Sequence, residues 1–261
     1  FTEASINLAD DEELMRLMVE AGFNTVFVGI ETPNEESLVE CNKFQNQNRD
    51  LVASVKKIQN YGLEVQGGFI VGFDSDPLSI FKSQINFIQR SGIVTAMVGL
   101  LNAPRGTRLY QRLKKENRLL KGFSGDNTDS SLNFIPKMNY ETLINGYKHI
   151  LNTIYSPQQY YERVRTFLRE YKPQKRMGIS QLQFYHIKAF FKCVWFLGIK
   201  EKGRRYYWKF FVSTLLRHPR SFPLSMSLSV FGFHFRKVAE KINNTPTENA
   251  PGLWATDEPS G

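Results

Sequence analysis

Hydrophobic and polar positions in the first 120 residues follow two alternating periods. Short apolar runs at 1–8, 25–30, 63–71 and 94–101 read as β-strands. The second run is apolar almost throughout, as expected of a parallel strand covered on both faces. Between the strands the apolar positions recur at helical spacing. Leu14, Leu17, Met18 and Ala21 form one stripe, introduced by Asp10, Asp11 and Glu12 and stopped by Gly22. Leu51, Val55 and Ile58 form another, in a helix over 49–61 that Gly62 ends. Further helices are predicted at 35–40, 77–91 and 108–119, the last with Thr107 as its cap.

Strands that alternate with helices predict a parallel α/β core whose chemistry gathers at the carboxyl ends of the strands. Four such strands cannot close a barrel, so either the sheet is open or more strands lie upstream. The chain starts at Phe1 without a methionine and opens in a strand, so it is expected to be the C-terminal part of a longer polypeptide.

Past residue 120 the pattern changes. Residues 121–137 are rich in Gly, Asp and Asn and read as a loop. Helices follow at 140–155, 157–171, 181–197, 206–217 and 223–242, with Pro157 after Ser156 well placed in a first turn. Residues 243–261, with Pro246, Pro251 and Pro259, read as a disordered tail.

Composition narrows the class. With 41% hydrophobic residues and 21 Phe the chain is globular, with one large core or two smaller ones. A formal charge of +9 suggests an anionic partner, membrane lipid or nucleic acid, or serves solubility alone. The two cysteines, Cys41 and Cys193, support neither a disulfide framework nor a cysteine metal site, which fits a reducing, cytosolic setting. The longest apolar run, 189–199, is interrupted by Lys192 and is shorter than the ~20 residues of a membrane span.

Candidate chemistry lies mostly at strand ends. Gly67, Gly68 and Gly72 surround Phe69-Ile70-Val71. Glycine weakens a strand, so this cluster points to a ligand lying close against the backbone, with Ile70 as an apolar surface; a bulge or tight helix packing accounts for it equally well. The spacing matches neither a dinucleotide fingerprint nor a phosphate-binding loop. Glu31 follows the second strand, and Glu3 sits in the first, where it faces a polar cavity unless the chain end frays. Arg105, in the turn after the fourth strand, lies near a helix start that is either an anion site or a capped turn. His149, His186, His218 and His234 lack metal-ligand spacing. In the helix around 204–217, Tyr207, Phe210, Phe211, Thr214 and Leu215 make an apolar face opposite Arg205, Lys209, Ser213 and Arg217. Such a helix lies on anionic lipid or packs on the core with its charges in water.

Several segments taken in order resemble a known family. Thr2-Glu3-Ala4-Ser5, Val28-Gly29-Ile30-Glu31-Thr32-Pro33, Gly68-Phe69-Ile70-Val71-Gly72 and Leu101-Asn102-Ala103-Pro104-Arg105-Gly106-Thr107 are similar to the later strands of radical S-adenosylmethionine (SAM) enzymes. The likeness is greatest to the class with an N-terminal cobalamin-binding domain, which includes the hopanoid methylases. Asn133-Phe134-Ile135-Pro136-Lys137-Met138, Tyr155-Ser156-Pro157 and Tyr160-Tyr161-Glu162-Arg163 resemble the helical domain that follows the barrel in many members.

This resemblance implies the last four units of a partial (β/α)6 barrel over 1–120, a helical domain over 121–242 and a tail over 243–261. It places Gly68, Ile70 and Gly72 at the adenine of SAM, with a final carboxylate at Asp76 where many members have Glu. Glu31 and Glu3 fall near the ribose or methionine end, and Asn102 joins the cofactor-binding set. A 4Fe-4S cluster, bound through a three-cysteine loop absent from this sequence, and cobalamin, bound upstream, are the other implied cofactors. The implied activity is methylation or another radical modification of an unactivated carbon on a small molecule or lipid, with a reductant protein as partner and no nucleic acid. This chain alone is then expected to be inactive. The location is cytoplasmic, with contact at the inner membrane face as an option. The alternatives are a non-catalytic lipid-presenting module on a degenerate barrel, or a β/α enzyme using carboxylates as acid and base.

Overall fold

The structure, a computed structural model, describes residues 1–120, 132–172 and 184–244. Strands β1 (Thr2–Ala4), β2 (Thr25–Glu31), β3 (Glu64–Val71) and β4 (Ala96–Leu100) form one parallel sheet in the order β1-β2-β3-β4. The sheet is open, and helices α1 (Glu12–Glu20), α2 (Glu35–Glu40), α3 (Leu51–Asn60), α4 (Ile80–Ser91) and α5 (Arg108–Lys115) fill the crossovers and the segment after β4. The chain is therefore α/β with a four-stranded parallel sheet.

Helix starts are set by side chains that accept the free amides of the first turn. Asp11 accepts from Leu14 at 2.8 Å, Asn34 from Ser37 at 2.8 Å, Asp50 from Ala53 at 2.9 Å and Thr107 from Tyr110 at 3.1 Å. The cap expected of Thr107 is in place.

The first strand is shorter than the sequence pattern suggests. After Ala4 the chain turns into a 3-10 helix, Ile6–Asp10, because the Leu8 amide bonds the Ser5 carbonyl at 3.0 Å. That turn drives Ile6, Leu8 and Ala9 into the core. Residues 1–8 read as a strand because apolar residues tucked under a sheet edge look like apolar residues within one.

A second correction concerns β2. Its burial alternates residue by residue, so the sheet is covered on one face only. Val26, Val28, Ile30, Val65, Phe69 and Val98 point into the packed side, where the Phe69 ring meets Phe87 of α4 edge-on at 5.8 Å. The other face holds Phe27, Gly29, Gly68, Ile70, Met97 and Gly99, none of them buried.

Beyond the sheet lie α6 (Tyr140–Ile154), α7 (Pro157–Glu170), α8 (Phe184–Trp195), a π-helical turn (Phe196–Lys200), α9 (Arg204–Arg217) and α10 (Phe222–Asn244). Helices α6 and α7 pack on α4, and α9 and α10 pack on α7. Arg163 ties this layer to the sheet. It is buried, donates to the carbonyls of Ile154 at 2.7 Å and Val94 at 3.2 Å, and its guanidinium stacks on the rings of Tyr155 and Tyr160. Asn243 and Asn244, assigned to the tail by composition, finish α10; residues 245–261 and most of the loop expected over 121–137 lie outside the described residues.

Candidate functional site

The carboxyl ends of β2, β3 and β4 and the uncovered face beside them form the candidate site. Glycines make its floor. In register, Gly29 stands opposite Gly68, Gly68 opposite Met97, and Ile70 opposite Gly99. Only one of the glycines in the 67–72 cluster opens this floor. A Cβ on Gly67 would strike Phe69 and Ile93 on the packed side, so Gly67 makes room for the core beneath the sheet. Gly68 faces the open side under the Phe27 ring. Gly72 lies past the strand at φ +107°, a left-handed backbone that turns the chain toward α4. Gly99, which the sequence did not single out, has nothing within 4 Å of the position a Cβ would take.

At the end of β2 the ladder breaks. Between Gly29 and Glu31 the register with β3 shifts, and Glu31 takes φ 64°, a left-handed conformation uncommon outside glycine. Its side chain folds back over Gly29, where Oε1 accepts a hydrogen bond from Lys43 Nζ at 2.8 Å. A Cβ on Gly29 would meet both groups, so that glycine makes room for the pair.

Two buried amides stabilise the break. Asn46 Nδ2 donates to the carbonyls of Gly29 at 3.1 Å and Ile30 at 2.9 Å, and Gln84 Nε2 of α4 donates to the Ile70 carbonyl at 2.7 Å. Both side chains are fully buried. Lys43 and Asn46 come from the polar stretch 42–48, which reads as a spacer but supplies a 3-10 turn, Phe44–Asn46, that braces the strand end. No spacing rule separates these residues from ordinary linker residues.

The loops after β3 and β4 are fixed in the same way. Asp76 accepts from the Gly72 and Phe73 amides at 2.8 and 3.1 Å through Oδ2, and from Ser37 Oγ at 2.7 Å through Oδ1. Burial pushes this carboxyl upward, and the Ser37, Gly72 and Phe73 donors pull it back. Both oxygens are thus committed to the loop. Asn133, which opens the 133–138 segment that resembles the family's helical domain, clamps the turn after β4, accepting from the Ala103 amide at 2.9 Å and donating to its carbonyl at 2.7 Å. Beside it Asn102 donates weakly to Leu100 at 3.4 Å, and its buried Oδ1 has no hydrogen-bond partner among the described residues.

Glu3 is exposed at the sheet edge and lines a wide cavity of about 510 Å³ with Thr2, Ser5, Asn7, Asp11 and Met18. It stands across from Phe27 in the register, one strand away from the glycine floor. Arg105 is exposed in a turn whose helix start is capped by Thr107. Among the described residues no three His, Cys, Asp or Glu side chains gather as metal ligands. Burial raises the thiols of Cys41 and Cys193, which lie in separate places.

Comparison with known proteins fits this layout. The family described as a domain of unknown function (DUF4070) matches residues 107–248. The chain belongs to the DUF4070 family. It is 37% identical over 243 residues to an uncharacterized methyltransferase of Synechocystis, covering 92% of this chain and 45% of that protein. It is 29% identical over 221 residues to the hopanoid C-2 methylase of Rhodopseudomonas palustris, covering 82% of this chain and 41% of that enzyme. A third relative, the bacteriochlorophyllide d C-12(1)-methyltransferase of Chlorobaculum tepidum, is 28% identical over 114 residues, or 44% of this chain and 25% of that enzyme. This DUF4070 chain therefore spans less than half the length of these relatives. Its resemblance to hopanoid methylase-like radical SAM proteins, first seen in the strand-end motifs, is borne out by these matches.

Proposed function

We infer that this chain is part of a methylating enzyme and holds S-adenosylmethionine against the uncovered face of its sheet. In this reading the enzyme is a cobalamin-dependent radical SAM methylase acting on an unactivated carbon. The observation that carries it is the floor of Gly68 and Gly99 on the uncovered face, where Gly99 has open space above its backbone. A flat purine needs close backbone approach, an apolar surface and an acceptor for its exocyclic amino group. Gly99 gives the first and Ile70 the second, and Asn102, in the turn after β4, would give the third only after its buried Oδ1 turns toward the ligand. Bound there, SAM supplies an activated methyl or adenosyl group.

The other residues have supporting roles. The Glu31–Lys43 pair, part-buried over Gly29, presents one carboxylate in a fixed direction toward the ribose or methionine portion. Glu3 sits further along the same face. Asp76, with both oxygens occupied, acts by holding the loop after β3 and not by touching the ligand. A 4Fe-4S cluster would find too few thiolates in this sequence, which has two cysteines in all, far apart. A four-iron cluster needs several converging thiolates. In this reading the cluster and cobalamin would be held by protein outside this sequence. An apolar, lipid-like substrate is consistent with Phe27 and Met97 on the same face.

Equilibrium dialysis with labelled SAM tests the reading. The wild-type chain should bind, and Gly99→Val and Ile70→Asp should each bind at least tenfold more weakly while melting within a few degrees of wild type. Equal affinity in all three proteins would remove the ligand from this face.

A further inference from the structure

The outward side of α8, the π-helical turn and α9 carries large apolar side chains that nothing in the described structure covers. Phe191 is 65% exposed, Trp195 57% and Leu216 75%, with Ile199, Val212 and Leu215 about half exposed. On α8 the outward residues Lys188, Phe191, Lys192, Trp195 and Ile199 recur at helical spacing and form one stripe. On α9 the buried residues are Tyr207, Phe210 and Thr214, which turns Arg205, Val212 and Leu216 away from the core. Leu215 was expected on the inner face and is outward instead.

The two helices are neighbours. Trp208 of α9 donates to the Gly198 carbonyl at 2.9 Å, and the Phe190 and Phe211 rings meet at 6.3 Å. The apolar surface is thus part of a packed helical pair and not a frayed end. Monomeric proteins seldom expose this many large apolar side chains together without a partner.

Charge identifies the partner. Residues 184–244 hold twelve Lys and Arg against two Glu, whereas residues 1–120 hold thirteen against fifteen Asp and Glu. The one acid of α8 to α9, Glu201, is turned inward toward Arg236 and Lys237. Lys192, Lys200, Arg205 and Lys209 are exposed and form no ion pair among the described residues. A second copy meeting this face through a two-fold axis would set these cations against each other. Nucleic acid would satisfy the cations but leave Leu216, Val212 and Ile199 in water. A bilayer with anionic headgroups satisfies both kinds of residue. Among the described residues no helix is long and apolar enough to cross a membrane, so the contact proposed here lies in the interface plane, where Trp is favoured.

We propose that the face formed by α8, the π-helical turn and α9 docks on an anionic lipid bilayer, with Phe191, Trp195 and Leu216 entering the interface and Lys192, Arg205 and Lys209 holding headgroups. The proposal rests on this surface alone and does not depend on the methylase reading. It would bring the enzyme to a substrate dissolved in the membrane.

Sedimentation of the full chain with vesicles of phosphatidylcholine, with and without phosphatidylglycerol, is the test. Binding should require the anionic lipid, weaken as salt rises and be accompanied by a blue shift of tryptophan emission. The triple variant Phe191→Ser, Trp195→Ser, Leu216→Ser should bind at least tenfold more weakly with unchanged circular dichroism, because all three side chains are mostly exposed. Each of Lys192→Gln, Arg205→Gln and Lys209→Gln should weaken binding by roughly fivefold. Leu78→Ser, equally exposed but on another face, should have no effect. No binding to anionic vesicles overturns the proposal. So does binding to duplex DNA that is as tight as binding to vesicles and indifferent to the triple variant, or dimerisation in sedimentation velocity that the triple variant abolishes.

Discussion

Lys43 Nζ lies 2.8 Å from Glu31 Oε1, and the pair rests over Gly29 at the point where the β2–β3 ladder slips. Each partner orients the other. Both side chains remain 20–27% exposed, so solvent screens the pair and its share of stability is small, about 1 kcal/mol or less. Its value is directional. Lys43→Met should leave the melting temperature nearly unchanged and weaken SAM binding about tenfold, because the Glu31 carboxylate is then free to swing into solvent. Dialysis and calorimetry on the same preparation separate the two effects, and unaltered affinity would show that Glu31 does not face the ligand.

Asn46 presents the opposite case, in which stability is the larger effect. Its amide is the donor for two strand-end carbonyls, and it is fully buried. Asn46→Ala would take a buried donor from both carbonyls and leave Ile30 with the Thr32 amide at 2.9 Å, at a cost of about 1–3 kcal/mol in urea unfolding. Loss of the brace also releases the left-handed backbone at Glu31, so SAM affinity should fall together with stability. A variant as stable as wild type would mean that water replaces the amide.

These two residues show where the sequence was legible and where it was not. The β/α rhythm, the parallel sheet and the helix caps follow from local chemistry, and periodicity with capping residues revealed them. Glu31 was visible because a carboxylate after an apolar strand is conspicuous. Lys43 and Asn46 were not, because their roles arise from a turn that brings residue 46 back against residue 30, a contact no short-range pattern encodes. The uncovered face was misread for a related reason. Phe27 and Ile70 are apolar on the open side just as Val26 and Val71 are on the packed side, so alternation in burial has no counterpart in hydropathy. Gly67 and Gly68 are adjacent and identical, yet only their three-dimensional neighbours distinguish packing from an open floor.

That distinction gives a paired prediction. Alanine at Gly99 meets open space, and replacing a strand glycine removes some unfolded-state entropy, so Gly99→Ala should be neutral or stabilising by up to about 1 kcal/mol. The added methyl projects into the proposed ligand space and should weaken SAM binding severalfold. At Gly68 the same methyl would lie 2.9 Å from the Phe27 ring, which must shift. Gly68→Ala should therefore lose stability, and Gly68→Ala with Phe27→Leu should recover much of it. Thermal melts of the three variants decide the matter, and a stable Gly68→Ala alone would show that the ring moves freely.

Glu64 makes stability depend on pH. It opens β3, is 8% exposed and has no hydrogen-bond partner for Oε1 among the described residues, and burial pushes its carboxyl up to about 7 from 4.5, with a Gln66 hydrogen bond opposing the rise. A carboxyl whose folded value is raised holds its proton more tightly in the folded state than in the unfolded chain. Its contribution is fully present below about pH 4.5 and is lost as pH rises through about 7. A shift of this size corresponds to about 3 kcal/mol between the two ends of that window. Glu64→Gln cannot ionise, so its unfolding free energy should stay level from pH 5 to 8 where that of wild type declines, and the variant should be the more stable protein at pH 8. Urea titrations across this range measure the difference directly. Parallel profiles for the two proteins would mean that Glu64 ionises as freely in the folded chain as in the unfolded one.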